Sequence, residues 1–172
     1  MDRVSVGTSP TTFHELYQRH ADDVYRFAHW LTGDAEEARD IVSETFVRVW
    51  TSPGEIRLRS VKSYLFTIAR NLHRKRWRKS SRMEPLDDGA GELPDPGVIP
   101  DQAASNSEDL AMLMDALDTL PELDRTILLL RAQDGLGYDE IAAITGLTVA
   151  TAKVRVFRAR AKLAEQLKSD HP

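Results

Sequence analysis

Residues 138–161 read YDEIAAITGLTVATAKVRVFRARA. Ile141, Ala142 and Ile144 can share one side of a short helix predicted over about 139–145, while Ala152, Val156, Ala159 and Leu163 recur at three- and four-residue intervals along a longer helix over about 149–167. Between them Gly146 permits a tight turn, and Thr148 is placed to cap the second helix. Two helices joined in this way form a helix-turn-helix. Thr151, Lys153, Arg155 and Arg158 are the expected outward residues of its second helix, where such a helix meets base edges and phosphates in a major groove. Small Ala150 allows close approach. A plain helical hairpin accounts for the apolar stripe but leaves the basic outer face unexplained.

Working back towards the N-terminus, Leu110, Leu113, Met114 and Leu117 predict a helix. Pro121 suits the first turn of the next, where its missing N–H is not needed, and Leu123, Ile127, Leu128 and Leu130 supply that helix's apolar surface. Gly135 and Gly137 interrupt it. Residues 84–100 hold four prolines and five acids without a sustained apolar period, which predicts a linker running on to about 106. Ahead of it, Phe13, Leu16, Tyr17, His20, Val24, Phe27 and Leu31 mark one amphipathic helix ending near Gly33. Ala38, Ile41, Val42, Thr45, Phe46, Val49 and Trp50 mark a second, starting at Asp34 or Ala35 and broken at Ser52-Pro53-Gly54. Val61, Tyr64, Leu65, Ile68 and Leu72 mark a third, with Ser60 as its cap. No strand pattern is evident. The expected fold class is all-α: two small helical domains, 12–80 and 108–168, joined by a flexible acidic linker over 81–107, the C-terminal one with a helix-turn-helix.

Charge is distributed unevenly along this plan. The 172-residue chain has 23 basic and 27 acidic side chains, a formal net charge of -4. Yet Arg57 to Arg82 carries ten Lys or Arg and no acid, Glu84 to Asp109 carries eight acids and no base, and Thr148 to Lys168 has six bases against Glu165 alone. Local clustering, more than overall pI, makes a phosphate-binding surface. The absence of cysteine excludes disulfides and thiolate chemistry and suits a reducing compartment. There is no P-loop, no H-E-x-x-H and no close Cys/His set, so an enzyme is the least favoured class and no metal or cofactor is expected. No window approaches 18 apolar residues, and the N-terminus is polar. Neither a signal peptide nor a membrane span is expected, and the chain is placed in the cytoplasm.

Two stretches of the first domain, Asp40-Ile41-Val42-Ser43-Glu44-Thr45-Phe46-Val47-Arg48-Val49-Trp50 and Ser63-Tyr64-Leu65-Phe66-Thr67-Ile68-Ala69-Arg70-Asn71, join Leu120-Pro121, Tyr138 to Ala142 and Thr151 to Arg160 in one ordered pattern. That pattern resembles the bacterial RNA polymerase sigma-70 family, in its extracytoplasmic-function (ECF) group. The resemblance implies a non-enzymatic specificity subunit that joins core RNA polymerase, recognises -35 and -10 promoter elements and aids DNA melting. It implies that Asp40, Glu44 and Arg48 dock the polymerase clamp, with Phe46 and Trp50 in the core. It further implies that Arg57, Arg59, Arg70, Asn71, Arg74 and Trp77 serve -10 binding and melting, with Tyr64 ambiguous and His73 a surface residue or phosphate neighbour. The helix-turn-helix would read the -35 duplex through Thr151, Lys153, Arg155 and Arg158. An anti-sigma factor, commonly membrane-linked, is the implied inhibitor. Ser43, Lys75, Ala150, Ala152 and Val154 depart from the commoner Gln, Asp, Gly, Val and Ser of the group and bear on promoter sequence and polymerase contact. Two alternatives stay open: an independent helix-turn-helix regulator, and a sigma-like decoy that binds a regulator.

Overall fold

The computed structural model describes residues 3–6, 9–51, 61–80, 107–133 and 135–169. The chain divides into two compact units, Met1–Pro85 and Leu86–Pro172. Among the described residues seven helices carry the fold, which is all-α in the sense expected. The structure adds one feature that contradicts the expected lack of strands. Strand β1 (Arg3–Val6) pairs antiparallel with β2 (Ser9–Thr12), Arg3 opposite Thr12 and Val6 opposite Ser9. The signal is short: Val4 and Val6 alternate with Ser5 over one strand only.

In the first unit, α1 (Phe13–Thr32), α2 (Ala35–Thr51) and α3 (Val61–Ser80) pack pairwise on one another. Gly33 takes the left-handed conformation, φ 70°, and its N–H donates to the His29 carbonyl, closing α1. Asp34 then caps α2, its carboxylate accepting from the N–H groups of Glu36 (2.8 Å) and Glu37 (3.1 Å). Leu16, Val24, Phe27, Ala28 and Leu31 of α1 are buried with Ala38, Ile41, Val42, Phe46 and Val49 of α2. Phe27 meets Phe66 of α3 with ring centroids 4.9 Å apart. The expected cap Ser60 and the break at Ser52-Pro53-Gly54 lie outside the described residues.

Expected core placements are corrected on each of the three helices. Tyr17 and Trp50 are exposed, at 44% and 52%. Trp50 meets Phe13 edge-on at 4.7 Å and Tyr17 meets Phe46 at 4.9 Å, so both cap the end of the α1–α2 contact from outside. On α3 the buried side is Ser63, Leu65, Phe66, Ala69, Arg70, Leu72 and His73, while Val61, Tyr64 and Ile68 are only half-buried. The stripe is therefore rotated towards Phe66, the large residue that fills the space against Phe27.

In the second unit, α4 (Ser107–Asp118), α5 (Glu122–Ala132), α6 (Tyr138–Thr145) and α7 (Val149–Ser169) follow in order. Pro121 stands one position ahead of α5 as its N-cap. Thr126, Ile127, Leu128, Leu129 and Leu130 are all buried, which makes α5 the central element, in contact with both α6 and α7. Arg125 ties the end of α4 to it, donating to the Asp118 and Leu120 carbonyls at 3.3 and 3.4 Å and pairing with the Asp118 carboxylate at 3.1 Å.

Candidate nucleic-acid interface

The helix-turn-helix is built as its residues imply. Ile141 and Ile144 are buried in α6, and Ala152, Val156, Ala159, Ala161 and Leu163 in α7. Gly146 closes α6 at φ 76° and its N–H donates to the Ala142 carbonyl at 2.8 Å. Thr148 caps α7: its hydroxyl oxygen accepts from the Thr151 N–H at 3.1 Å, and its hydroxyl donates to the Thr151 hydroxyl at 2.8 Å.

Along the outer side of α7, Thr151, Lys153 and Arg158 are exposed together with Ala150, Val154 and Phe157. Lys153 stands over the Tyr138 ring, its ammonium 5.7 Å from the centroid, while the Arg131 guanidinium lies 4.6 Å from the same ring. Arg131 also donates to the Leu136 carbonyl at 2.9 Å, bracing the loop between α5 and α6. Arg155 departs from the expectation of a freely exposed cation. It is half-exposed, and its guanidinium pairs with the Asp124 carboxylate of α5 at 3.0 Å. Val154 was noted from the sequence only as a departure from the commoner Ser, and Phe157 was not singled out; their four- and seven-residue offsets from Ala150 are the signal that places them on one face.

The second basic surface lies on α3. Asn71, Arg74, Lys75, Arg78 and Lys79 line one open groove of about 560 Å³, and their three- and four-residue spacing places them on one helical face. Of the six residues expected to serve -10 DNA, the structure brings together Asn71 and Arg74 and adds Lys75, Arg78 and Lys79. Arg70 is corrected: it is buried, 5% exposed, on the core side of α3. His73 is likewise buried rather than at the surface. Trp77 is half-buried and, six residues on from Asn71, is about 120° around the helix from it. Arg57 and Arg59 lie outside the described residues.

The expected docking charges lie together on α2. Asp40 and Arg48 are exposed and Glu44 is half-exposed. Arg48 pairs with Glu44 at 3.3 Å, and Arg76 of α3 reaches Glu44 at 3.4 Å and Asp40 at 3.9 Å. Arg76 was absent from the sequence-derived set. Among the described residues, no group of three or more potential metal ligands is assembled, and no helix is long and apolar enough to cross a membrane.

Residues 16–83 match the family described as Sigma-70 region 2, and residues 110–163 match Sigma-70, region 4. The chain is 36% identical over 150 residues to the ECF RNA polymerase sigma factor EcfG of Rhodopseudomonas palustris, covering 84% of this chain and 78% of the relative. The chain belongs to the ECF sigma factors. A second member, SigE of Mycolicibacterium smegmatis, is 34% identical over 158 residues, with 91% of this chain covered but 62% of that longer relative. Among solved structures, the sigma factor RpoE of Bartonella quintana, in complex with the anti-sigma factor NepR, aligns with a TM-score of 0.72 at 31% identity, over 92% of this chain and 98% of that one. In sigma-family terms, the α3 groove and the α2 charges fall in the region 2 match, and the exposed side of α7 falls in the region 4 match.

Proposed function

We propose that this ECF sigma factor binds core RNA polymerase and directs promoter-specific initiation, with 12–80 serving -10 recognition and clamp docking, 108–168 reading the -35 duplex, and 81–107 acting as an acidic linker. The outer face of α7 carries the reading: Thr151, Lys153 and Arg158 are presented beside Val154 and Phe157 on the second helix of a helix-turn-helix. Hydrogen-bonding and cationic groups suit base edges and phosphates, and the apolar pair suits thymine methyl groups.

The α3 groove supports a role at the -10 element. Four cations and Asn71 on one face can follow a strand backbone, and neutralising its phosphates offsets part of the cost of unpairing. Arg57, Arg59 and Trp77 remain in the proposed melting set. Asp40, Glu44 and Arg48 form the proposed clamp contact, where charge selects a complementary surface. The chemistry of RNA synthesis belongs to the polymerase, and this chain acts without a cofactor from the cytoplasm. The Bartonella quintana relative bound to NepR supports control by an anti-sigma factor.

The deciding experiment is transcription from a promoter library by purified core RNA polymerase at fixed salt, with and without this chain. Initiation at a shared -35/-10 pattern only when the chain is present is the expected result. Initiation that does not depend on the folded chain would remove this reading in favour of an independent regulator or a decoy.

A further inference from the structure

The two cations that flank the exposed face of α7 are held by chemically different partners. Lys153 rests over the Tyr138 ring, and a ring attracts an ammonium without cancelling its net charge. Arg155 is paired at 3.0 Å with Asp124, a carboxylate in the first turn of α5 whose side chain is 23% exposed. There the charges cancel. Arg155 also sits nearer the packed side than its neighbour: counted from buried Ala152, it lies about 60° around the helix and Arg158 about 120°. A phosphate that met the paired guanidinium would gain little net neutralisation, and one that drew Arg155 away would leave Asp124 half-buried and unpaired beside the DNA.

We propose that Asp124 is a specificity-determining residue: by holding Arg155, it withholds one cation from sequence-independent phosphate contact. The inference rests on the reading of α7 as a -35 reader. Non-specific affinity for duplex DNA comes almost wholly from phosphate neutralisation, so a freed cation strengthens every loosely docked register, whereas in the specific register base contacts already fix how α7 sits and leave Arg155 turned towards the packed side. A cation withheld from that contact lowers the background more than it lowers recognition by Thr151, Lys153 and Arg158, so discrimination rises. Asp124 acts through another side chain and touches no base in this account.

The test uses the full chain and two duplexes, one selected -35 duplex and one of random sequence, titrated between about 50 and 200 mM salt. Asp124→Asn should release Arg155. One added phosphate contact steepens the slope of log affinity against log salt by about 0.9 and tightens random-duplex binding roughly five- to eightfold at 0.1 to 0.15 M salt. The ratio of specific to random affinity should fall. Asp124→Glu should keep the original slope, and adding Arg155→Gln to Asp124→Asn should restore it. In the otherwise unchanged chain, Arg155→Gln should leave the slope where it was; a decrease of about 0.9 would show that Arg155 already engages phosphate and would overturn the proposal even if Asp124→Asn failed to fold. A folded Asp124→Asn chain with unchanged slope and unchanged random-duplex affinity would overturn it too. Loss of all discrimination in the unsubstituted chain would instead remove the -35 reading, and this inference with it.

Discussion

The Arg76 guanidinium of α3 lies 3.4 Å from the Glu44 carboxylate of α2. The contact joins the two surfaces assigned above to different partners, since Glu44 belongs to the docking charges and Arg76 lies on the basic helix. Both side chains are about one-third or more exposed, and pairs of that kind contribute on the order of 0.2–1 kcal/mol. Stability and docking should therefore separate. Arg76→Ala should lower the melting temperature only slightly and leave polymerase affinity unchanged or raised, because it frees carboxylate. Asp40→Lys with Glu44→Lys should weaken association with core polymerase while the circular dichroism of the chain is retained. A pull-down with equal recovery of the charge-reversed chain would count against the docking role.

The groove on α3 makes a prediction about single strands. Arg74→Ala with Arg78→Ala removes two of its four cations. Affinity for a single-stranded -10 oligonucleotide should drop, and the slope of log affinity against log salt should shrink by about 1.4. Fluorescence anisotropy across a salt series measures both. An unchanged slope would move the strand elsewhere on the protein.

Arg158 supplies the corresponding duplex prediction. It is exposed on α7 and forms no ion pair among the described residues, in contrast to Arg155. Arg158→Ala should weaken -35 duplex binding and should spare polymerase binding, a combination readable from gel shift and pull-down on one preparation.

Gly146 tests the turn on its own. Its φ is 76°, and a Cβ added there meets nothing within 4 Å, so Gly146→Ala introduces backbone strain without a clash. The expected cost is about 1–2 kcal/mol in chemical denaturation. Gly137→Ala differs in cause, since its Cβ would stand 2.6 Å from the Asp139 carboxylate oxygen.

His20 sets a pH dependence. Burial pushes its pKa below the ordinary 6.5, with nearby Arg19 and Lys62 acting in the same direction and Asp23 opposing them. The unfolded chain therefore takes up the proton first as pH falls. Stability should be full above about 6.5, decline below it, and stop declining through this group once pH passes the folded-state value. His20→Gln should flatten the profile of denaturation midpoint against pH over that window.

The helical plan was legible because apolar residues at three- and four-residue intervals leave few choices. Asp34, Gly33, Gly146 and Thr148 all cap or close the helices their chemistry suits. Periodicity was less able to decide which residues at the margin of a stripe are covered. Tyr17 and Trp50 fit the stripes of α1 and α2, yet lie at the edge of the packed region, each meeting another ring but left about half exposed. Arg70 and His73 have polar heads that suggest surface, but their positions on α3 follow Phe66 and Ala69 into the core. The ion pairs were hidden for a different reason. Asp124 and Arg155 are 31 residues apart, as Glu44 and Arg76 are 32 apart, and only the packing of one helix on another brings each pair together. The β1–β2 hairpin offered too short an alternation to stand out.

Five successive residues of α5, Thr126 to Leu130, are covered on every side. A helical stretch with no wet face has no surface of its own to give up, and everything around it depends on it for cover. The helix-turn-helix can be picked out as a motif, but it is not a unit of stability: cut away from α5, α6 and α7 would leave Ile141, Ile144 and Leu163, all buried in the intact chain, without that helix to cover them. A peptide spanning 136–169 alone should therefore be largely unfolded in water, and a transplant of this DNA reader into another protein has to carry α5 with it.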